Sequence, residues 1–268
     1  MRSFIIVLVS ILGLLIVATT LFNQAQNALA PYEALINNTQ AIENAEEFEE
    51  VQAALNDLNN RFILTRMFIG GEIEHLTQRL ETFDMISNIE FVTYEQFLSP
   101  DNPRITIEVE DFGTMTLELF PEVAPNSVNN MIQLIQNGYY DGLVFHRIIS
   151  GFMIQGGWGP DTGCVIPGEF VANQVANPLK HTRGVLSMAR TNVFNSATSQ
   201  FFIVHRDSLF LDRQYAAFGA LVEGFDVLDG IAAVATGAQD RPINDVVMTR
   251  VTVDLRGYTP QAPTCVSP

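Results

Sequence analysis

The chain has 268 residues, 47% of them hydrophobic, with 14 Lys and Arg against 30 Asp and Glu and a formal net charge of −16. So acidic a chain is repelled by phosphate backbones, which excludes nucleic-acid binding as its main role, and the length allows one ordinary domain plus extra segments. The two cysteines, Cys164 and Cys265, form no Cys-x-x-Cys, which excludes a zinc ribbon and a thioredoxin-like site.

Met1-Arg2-Ser3 is a short cationic start, and residues 4–22 then carry no charge and are mostly Ile, Leu, Val and Ala. A bilayer-spanning helix needs about 20 such residues, whereas the apolar core of a cleaved signal has about 7–15. Ala28-Leu29-Ala30 has the small-x-small form of a cleavage site, but Pro31 suits the position after a cut poorly. Residues 1–30 are therefore expected to be an uncleaved signal anchor. A signal peptide cut at Ala30 is the alternative, giving a secreted or periplasmic chain. Arg2 puts the N-terminus in the cytoplasm, so the expectation is a single-pass cell-membrane protein with its C-terminal domain extracytoplasmic.

Residues 31–100 hold thirteen acids and three arginines, a local charge of −10. Val51, Leu55, Leu58 and Phe62 share one helical face, as do Ile73, Leu76, Leu80 and Phe83. Gly70-Gly71 breaks the pattern between them. The spacing predicts amphipathic helices over about 39–69 and 72–87, folding back as a hairpin. Such a segment is an ordinary helical appendage with a solvated acidic face, or a docking module or spacer.

Pro100-Asp101-Asn102-Pro103 marks a boundary, after which the pattern alternates. Ile105, Ile107 and Val109, then Met115, Leu117 and Leu119, interleave with polar residues around the turn Asp111-Phe112-Gly113, a hairpin with one buried face. From Ala124 a helix is expected, with Val128, Met131, Ile132 and Ile135 on one side and Gly138 as its C-terminal cap. Short strands are expected over 143–149, 185–189, 201–204, 216–221 and 246–255, with a second helix over 224–235. Many strands and two helices predict a closed β-barrel with helices at its ends, over 101–256, followed by a tail over 257–268.

Two stretches carry the chemistry: Phe145-His146-Arg147-Ile148-Ile149-Ser150-Gly151-Phe152-Met153-Ile154-Gln155-Gly156-Gly157, and Gly184-Val185-Leu186-Ser187-Met188-Ala189-Arg190 followed by Asn195-Ser196-Ala197-Thr198-Ser199-Gln200-Phe201-Phe202-Ile203. The first sets one permanent cation and one amide among apolar groups. In this wording and order the chain, from about 104 to 255, resembles the cyclophilin family of peptidyl-prolyl cis/trans isomerases, in its bacterial branch. The resemblance implies an eight-stranded antiparallel barrel capped by two helices, here preceded by a transmembrane or signal helix and the helical segment. It implies an enzyme that needs no cofactor and no metal. Its partners would be proline-containing polypeptides, here unfolded or partly folded exported proteins, with the membrane reached through the N-terminal helix.

By motif match, Arg147 is the donor to the prolyl nitrogen. Phe152, Met153, Phe202 and Leu211 form the proline pocket, and Gln155 holds the substrate backbone. Ala189, Arg190 and Gln200 line the groove for the residues before proline. Phe210 stands where the best-known eukaryotic members carry Trp, and Tyr215 where they carry His, both keeping an aromatic pocket wall. A binding module that grips proline segments without useful turnover, or a membrane-tethered scaffold, is the alternative.

Cys164 and Cys265 can pair if the chain is exported, or stand as two unpaired thiols. The loop between Gly157 and Phe170 resembles the family only loosely. His75, His146, His181 and His205 lack metal-ligand spacing, and Gly156-Gly157-Trp158-Gly159 lacks the lysine of a phosphate loop.

Overall fold

The computed structural model describes residues 89–266, together with isolated helical positions at Asn23, Asn27, Ala30 and Ala53. The expected anchor over 4–22 and the expected helices over 39–69 and 72–87 lie outside the described residues. The chain divides into two compact units between Asn88 and Ile89, and the second is described below. Among the described residues no helix is long and apolar enough to cross a membrane.

Alternation builds the first hairpin. Strand β1 (Arg104–Val109) pairs antiparallel with β2 (Gly113–Leu119), from Arg104 opposite Glu118 to Val109 opposite Gly113. Ile105, Ile107, Met115, Leu117 and Leu119 are fully buried on one face. Glu118 points the other way, yet it is buried too. The segment before β1, with a 3-10 turn at Tyr94–Phe97, crosses that face, and Phe97 meets Phe120 with ring centroids 5.8 Å apart. The Glu118 carboxylate accepts from Ser99 N at 2.7 Å, from Asn102 Nδ2 at 3.0 Å and from both Nε and Nη2 of Arg104. A carboxylate so paired and saturated is tolerated in the interior. Residues 89–100, expected to continue the acidic helical segment, thus carry no α-helix and belong to the same compact unit as the sheet.

The remaining strands are β3 (Phe145–Ile149), β4 (Met153–Gly156), β5 (Val185–Met188), β6 (Phe201–Val204), β7 (Ala217–Glu223) and β8 (Met248–Asp254). They form one antiparallel sheet in the order β3-β4-β6-β5-β7-β2-β1-β8. Its two ends meet at a single bridge, Val144 to Val247, supported by Phe145 N to Val246 O at 2.9 Å. The sheet is therefore a curled half-barrel rather than the closed barrel the pattern suggested, because no ladder runs along the β3–β8 seam.

Helix α1 (Pro125–Gln136) packs on β7 and β8, and α2 (Phe225–Ala232) on β2, β3 and β4. Proline suits the first turn of α1, where its missing N–H costs nothing. No local side chain caps this helix. The Glu169 carboxylate, from a distant loop, accepts from the backbone N of Asn126 at 2.9 Å and of Ser127 at 2.7 Å. That places a negative charge at the positive end of the helix dipole. At the other end Tyr139 N bonds Leu134 O and Gly138 N bonds Ile135 O, and Gly138 takes the left-handed φ of 68° that this ending requires. Helix α2 stops at Ala232, short of the expected 235.

Cys164 and Cys265 are joined by a disulfide across 101 residues of sequence. It holds the tail along α1, where Thr264 N bonds Asn126 Oδ1 at 2.7 Å and Gln261 N bonds Asn129 Oδ1 at 3.1 Å. Val266 bridges Val165 beside it.

Candidate active site

Register brings the chemistry into a row. Arg147 on β3 is directly opposite Gln155 on β4, and Gln155 is opposite Phe202 on β6. Opposed residues in neighbouring strands point to the same face, about 5 Å apart. Met153, two positions along β4, shares that face. Phe152 comes from the β3–β4 turn, Ala189 and Arg190 follow β5, Leu211 lies on the 3-10 turn Leu209–Leu211, and Tyr215 precedes β7. Arg147, Phe152, Met153, Gln155, Ala189, Arg190, Phe202, Leu211 and Tyr215 line one cavity of about 120 Å³.

Two of the residues singled out in the sequence stand outside that lining. Gln200 Oε1 accepts from Gln155 Nε2 at 3.1 Å, which holds the Gln155 amide in place. Phe210 is 72% exposed and stands at the rim, its ring 5.4 Å from that of Phe152. Arg190 is held by two backbone carbonyls: Nε bonds Gln214 O at 2.9 Å and Nη1 bonds Thr191 O at 2.8 Å. Its guanidinium lies 4.6 Å from the centroid of Tyr215 and 5.1 Å from that of Phe170. It builds the wall by stacking.

Arg147 is different. Its Nε faces Asp240 Oδ2 at 3.3 Å, with the two side chains 41% and 45% exposed, so solvent screens the pair. Nη1 and Nη2 have no hydrogen-bond partner among the described residues. The result is a cation at the mouth of an apolar pocket with its outer donors unengaged. The neighbouring His146 titrates below its ordinary value, because burial first, then Arg147 and Arg241, disfavour its protonated form.

Sequence reasoning missed what supports the floor. His181, fully buried, stacks on Phe202 with centroids 6.1 Å apart and planes 19° apart. Asp212 Oδ1 lies 2.9 Å from His181 Nδ1, and Ser187 Oγ lies 3.1 Å from Nε2. A signal for this existed: Ser187 is the one hydroxyl in the apolar run 185–189. Gly157, which follows β4, has a φ of 81°, and a Cβ there would come within 2.6 Å of Ser199 O. Ser199 O also accepts from the buried Tyr140 hydroxyl at 2.9 Å, whose pKa burial pushes up. Among the described residues no three His, Cys, Asp or Glu converge as metal ligands.

Known proteins match the same region. The family model described as cyclophilin type peptidyl-prolyl cis-trans isomerase/CLD matches residues 104–253. Peptidyl-prolyl cis-trans isomerase B of Escherichia coli is 41% identical over 154 residues, covering 53% of this chain and 94% of that protein. A putative bifunctional phosphatase/peptidyl-prolyl cis-trans isomerase of Streptococcus pyogenes is 40% identical over 183 residues, of which the chain covers 38% of the length. Among solved structures, a cyclophilin type peptidyl-prolyl cis-trans isomerase of Cryptosporidium parvum, crystallised in the presence of the dipeptide Ala-Pro, superposes with a TM-score of 0.52. It is 29% identical, and the match covers 56% of this chain and 98% of that one.

Proposed function

The chain belongs to the cyclophilin-type peptidyl-prolyl cis-trans isomerase family, and from that premise we propose that Arg147 catalyses rotation about the Xaa–Pro bond of peptides seated in the 120 Å³ pocket. The barrier to that rotation is about 18–20 kcal/mol, because the nitrogen lone pair is shared with the carbonyl. In the twisted state the lone pair is localised on nitrogen and accepts a hydrogen bond that neither planar state can accept as well. A donor that meets it there lowers the barrier by binding the transition state more tightly than substrate or product. Arg147 fits this role because its charge is permanent and its outer donors are unengaged beside the pocket. No proton moves in this reaction, so it needs neither a general acid nor a general base, and His146 beside Arg147 is not called on for either.

The proline ring lies on Phe202, Met153 and Leu211, all nearly fully buried, with Phe152 and Tyr215 at the sides. Gln155 positions the peptide backbone next to the rotating amide. The unengaged Arg147 Nη groups are the observation that carries this reading. The test is exchange spectroscopy on a short Xaa-Pro peptide with the full chain and with Arg147→Ala. Catalysis that collapses in the variant supports the assignment, and equal catalysis by both refutes it.

We further propose that the clients are exported polypeptides and that the domain works outside the cytoplasm, held by the apolar run 4–22. The Cys164–Cys265 bond accords with that placement, since disulfides persist in oxidising compartments. Fractionation that finds the chain in the cytosol with both thiols reduced would refute it.

A further inference from the structure

The turn between β3 and β4 carries Phe152 into the lining of the proline pocket. Phe152 N bonds Ile149 O at 3.0 Å to close it, and Gly151 takes a left-handed φ of 78°. One residue just past the end of β6 holds this turn from outside. The backbone N of His205 donates to Phe152 O at 2.8 Å, and the ring Nδ1 of His205 lies 2.9 Å from Gly151 N. His205 thus ties the turn twice, once with its main chain and once with its imidazole. It is not part of the pocket lining.

The partners of the ring settle which nitrogen carries the proton. A backbone N–H only donates, so Nδ1 must offer its lone pair to Gly151. In the neutral ring the proton then sits on Nε2, which lies 3.1 Å from Asp229 Oδ1 on α2. Arg183, from the loop before β5, holds that carboxylate through Nη1 and Nη2 at 2.8 and 3.0 Å, and its Nη1 also bonds His205 O at 3.1 Å. The hydrogen bond from Arg183 keeps the Asp229 carboxyl below its ordinary value, so the acceptor for Nε2 stays ionised. Arg206 and Asp207 follow His205 in the chain, and Asp207 Oδ1 accepts from the backbone N of Arg183 at 2.9 Å. The His205 side chain is 12% exposed, enough for a proton to reach it.

A second proton spares one ring contact and breaks the other. The imidazolium keeps its Nε2 donor on Asp229, but Nδ1 becomes a donor facing the Gly151 N–H. One of the two ties on the turn is then lost. We infer that His205 is a positioning residue of the isomerase site, whose neutral imidazole holds the β3–β4 turn so that Phe152 stays in the proline pocket, and whose protonation releases that hold. The inference rests on the isomerase reading above and adds control of the same site by acidity.

The test measures KM and kcat by exchange spectroscopy on the full chain, from about pH 8 to about pH 5, with a blocked Ala-Pro peptide that carries no titrating group. In the parent KM rises about two- to tenfold toward the acid end, the size of one hydrogen bond, while kcat is largely kept because Arg147 does not titrate. His205→Asn can set a carboxamide oxygen where Nδ1 stood and does not titrate, so its KM matches that of the parent at the alkaline end and lacks this rise. His205→Leu offers no acceptor, and its KM is raised across the whole range. The rise is taken as the difference between the parent and His205→Asn, which cancels any contribution of His146 and His181. A merely structural His205 would lower the folded fraction and so the apparent kcat, not raise KM. If one variant does not fold, the comparison with the other still decides. A parent profile that superposes on that of His205→Asn, or a His205→Leu KM equal to that of the parent at the alkaline end, overturns the inference and leaves the isomerase intact. A parent that turns over no peptide at the alkaline end overturns the isomerase reading instead.

Discussion

Removing His181 is predicted to loosen the proline pocket from behind. The imidazole is 1% exposed, stacks on Phe202 and contacts Asp212 and Ser187. In His181→Ala the buried Ser187 Oγ loses this contact, at a cost of about 1–3 kcal/mol. Loss of the ring contact with Phe202 adds about 0.5–1.5 kcal/mol. Asp212 is not orphaned, because it also accepts the backbone N of His181 at 2.7 Å, so the total stays near 2–4 kcal/mol. For a unit of this size each kcal/mol lowers the melting temperature by roughly 2–4 °C, which gives a fall of about 5–15 °C. Below that transition, peptide affinity should drop several-fold while kcat is largely kept, since Arg147 is untouched. Thermal unfolding followed by circular dichroism, with exchange kinetics at a low temperature, measures both. A melting temperature within about 2 °C of the parent, or a loss of kcat with affinity intact, refutes the claim that His181 supports the floor.

Other outcomes follow from the same contacts. Reduction of the Cys164–Cys265 bond, which closes a loop of 101 residues, should cost about 2–5 kcal/mol; a reductant should lower the melting temperature of the parent and leave that of Cys265→Ser unchanged. Gly157→Ala forces a Cβ against Ser199 O at a φ of 81°, and should lower the urea midpoint by an amount worth about 1–3 kcal/mol while displacing the Gln200 that holds Gln155. His146 binds its proton more weakly folded than unfolded, by burial and then by Arg147 and Arg241. Its contribution to stability is therefore full above its ordinary 6.5 and is lost as pH falls through the depressed folded value, so His146→Phe should flatten that acidic limb of a melting-temperature profile.

Local pattern carried much of the fold. The strand over 201–204 was legible from an uninterrupted apolar run, and the hairpin at 104–119 from alternation. Strand β4 was not read as a strand, because four residues running into Gly156-Gly157 offer no period. Glu118 obeys the alternation but is buried, since the chain before β1 covers the face that the pattern assigned to solvent. The closed barrel was an overreach of the same kind: strand count does not reveal whether the end strands pair.

The candidate site was legible where the residues sit in two contiguous motifs. What lies far away in sequence was not. Asp240 meets Arg147 across 93 residues and Asp212 meets His181 across 31, and neither belongs to a motif. The pairing of Cys164 with Cys265 was likewise undecidable without the distance between them.

The central claim is that Arg147 recognises the twisted amide rather than the ground-state peptide. The direct measurement is kcat by exchange spectroscopy at saturating Xaa-Pro peptide, beside the peptide's dissociation constant, for the full chain and for Arg147→Ala. The account predicts a fall in kcat on the order of a hundredfold with a dissociation constant changed only a few-fold. A loss of affinity that accounts for the whole fall in kcat/KM, with kcat unchanged, would contradict it.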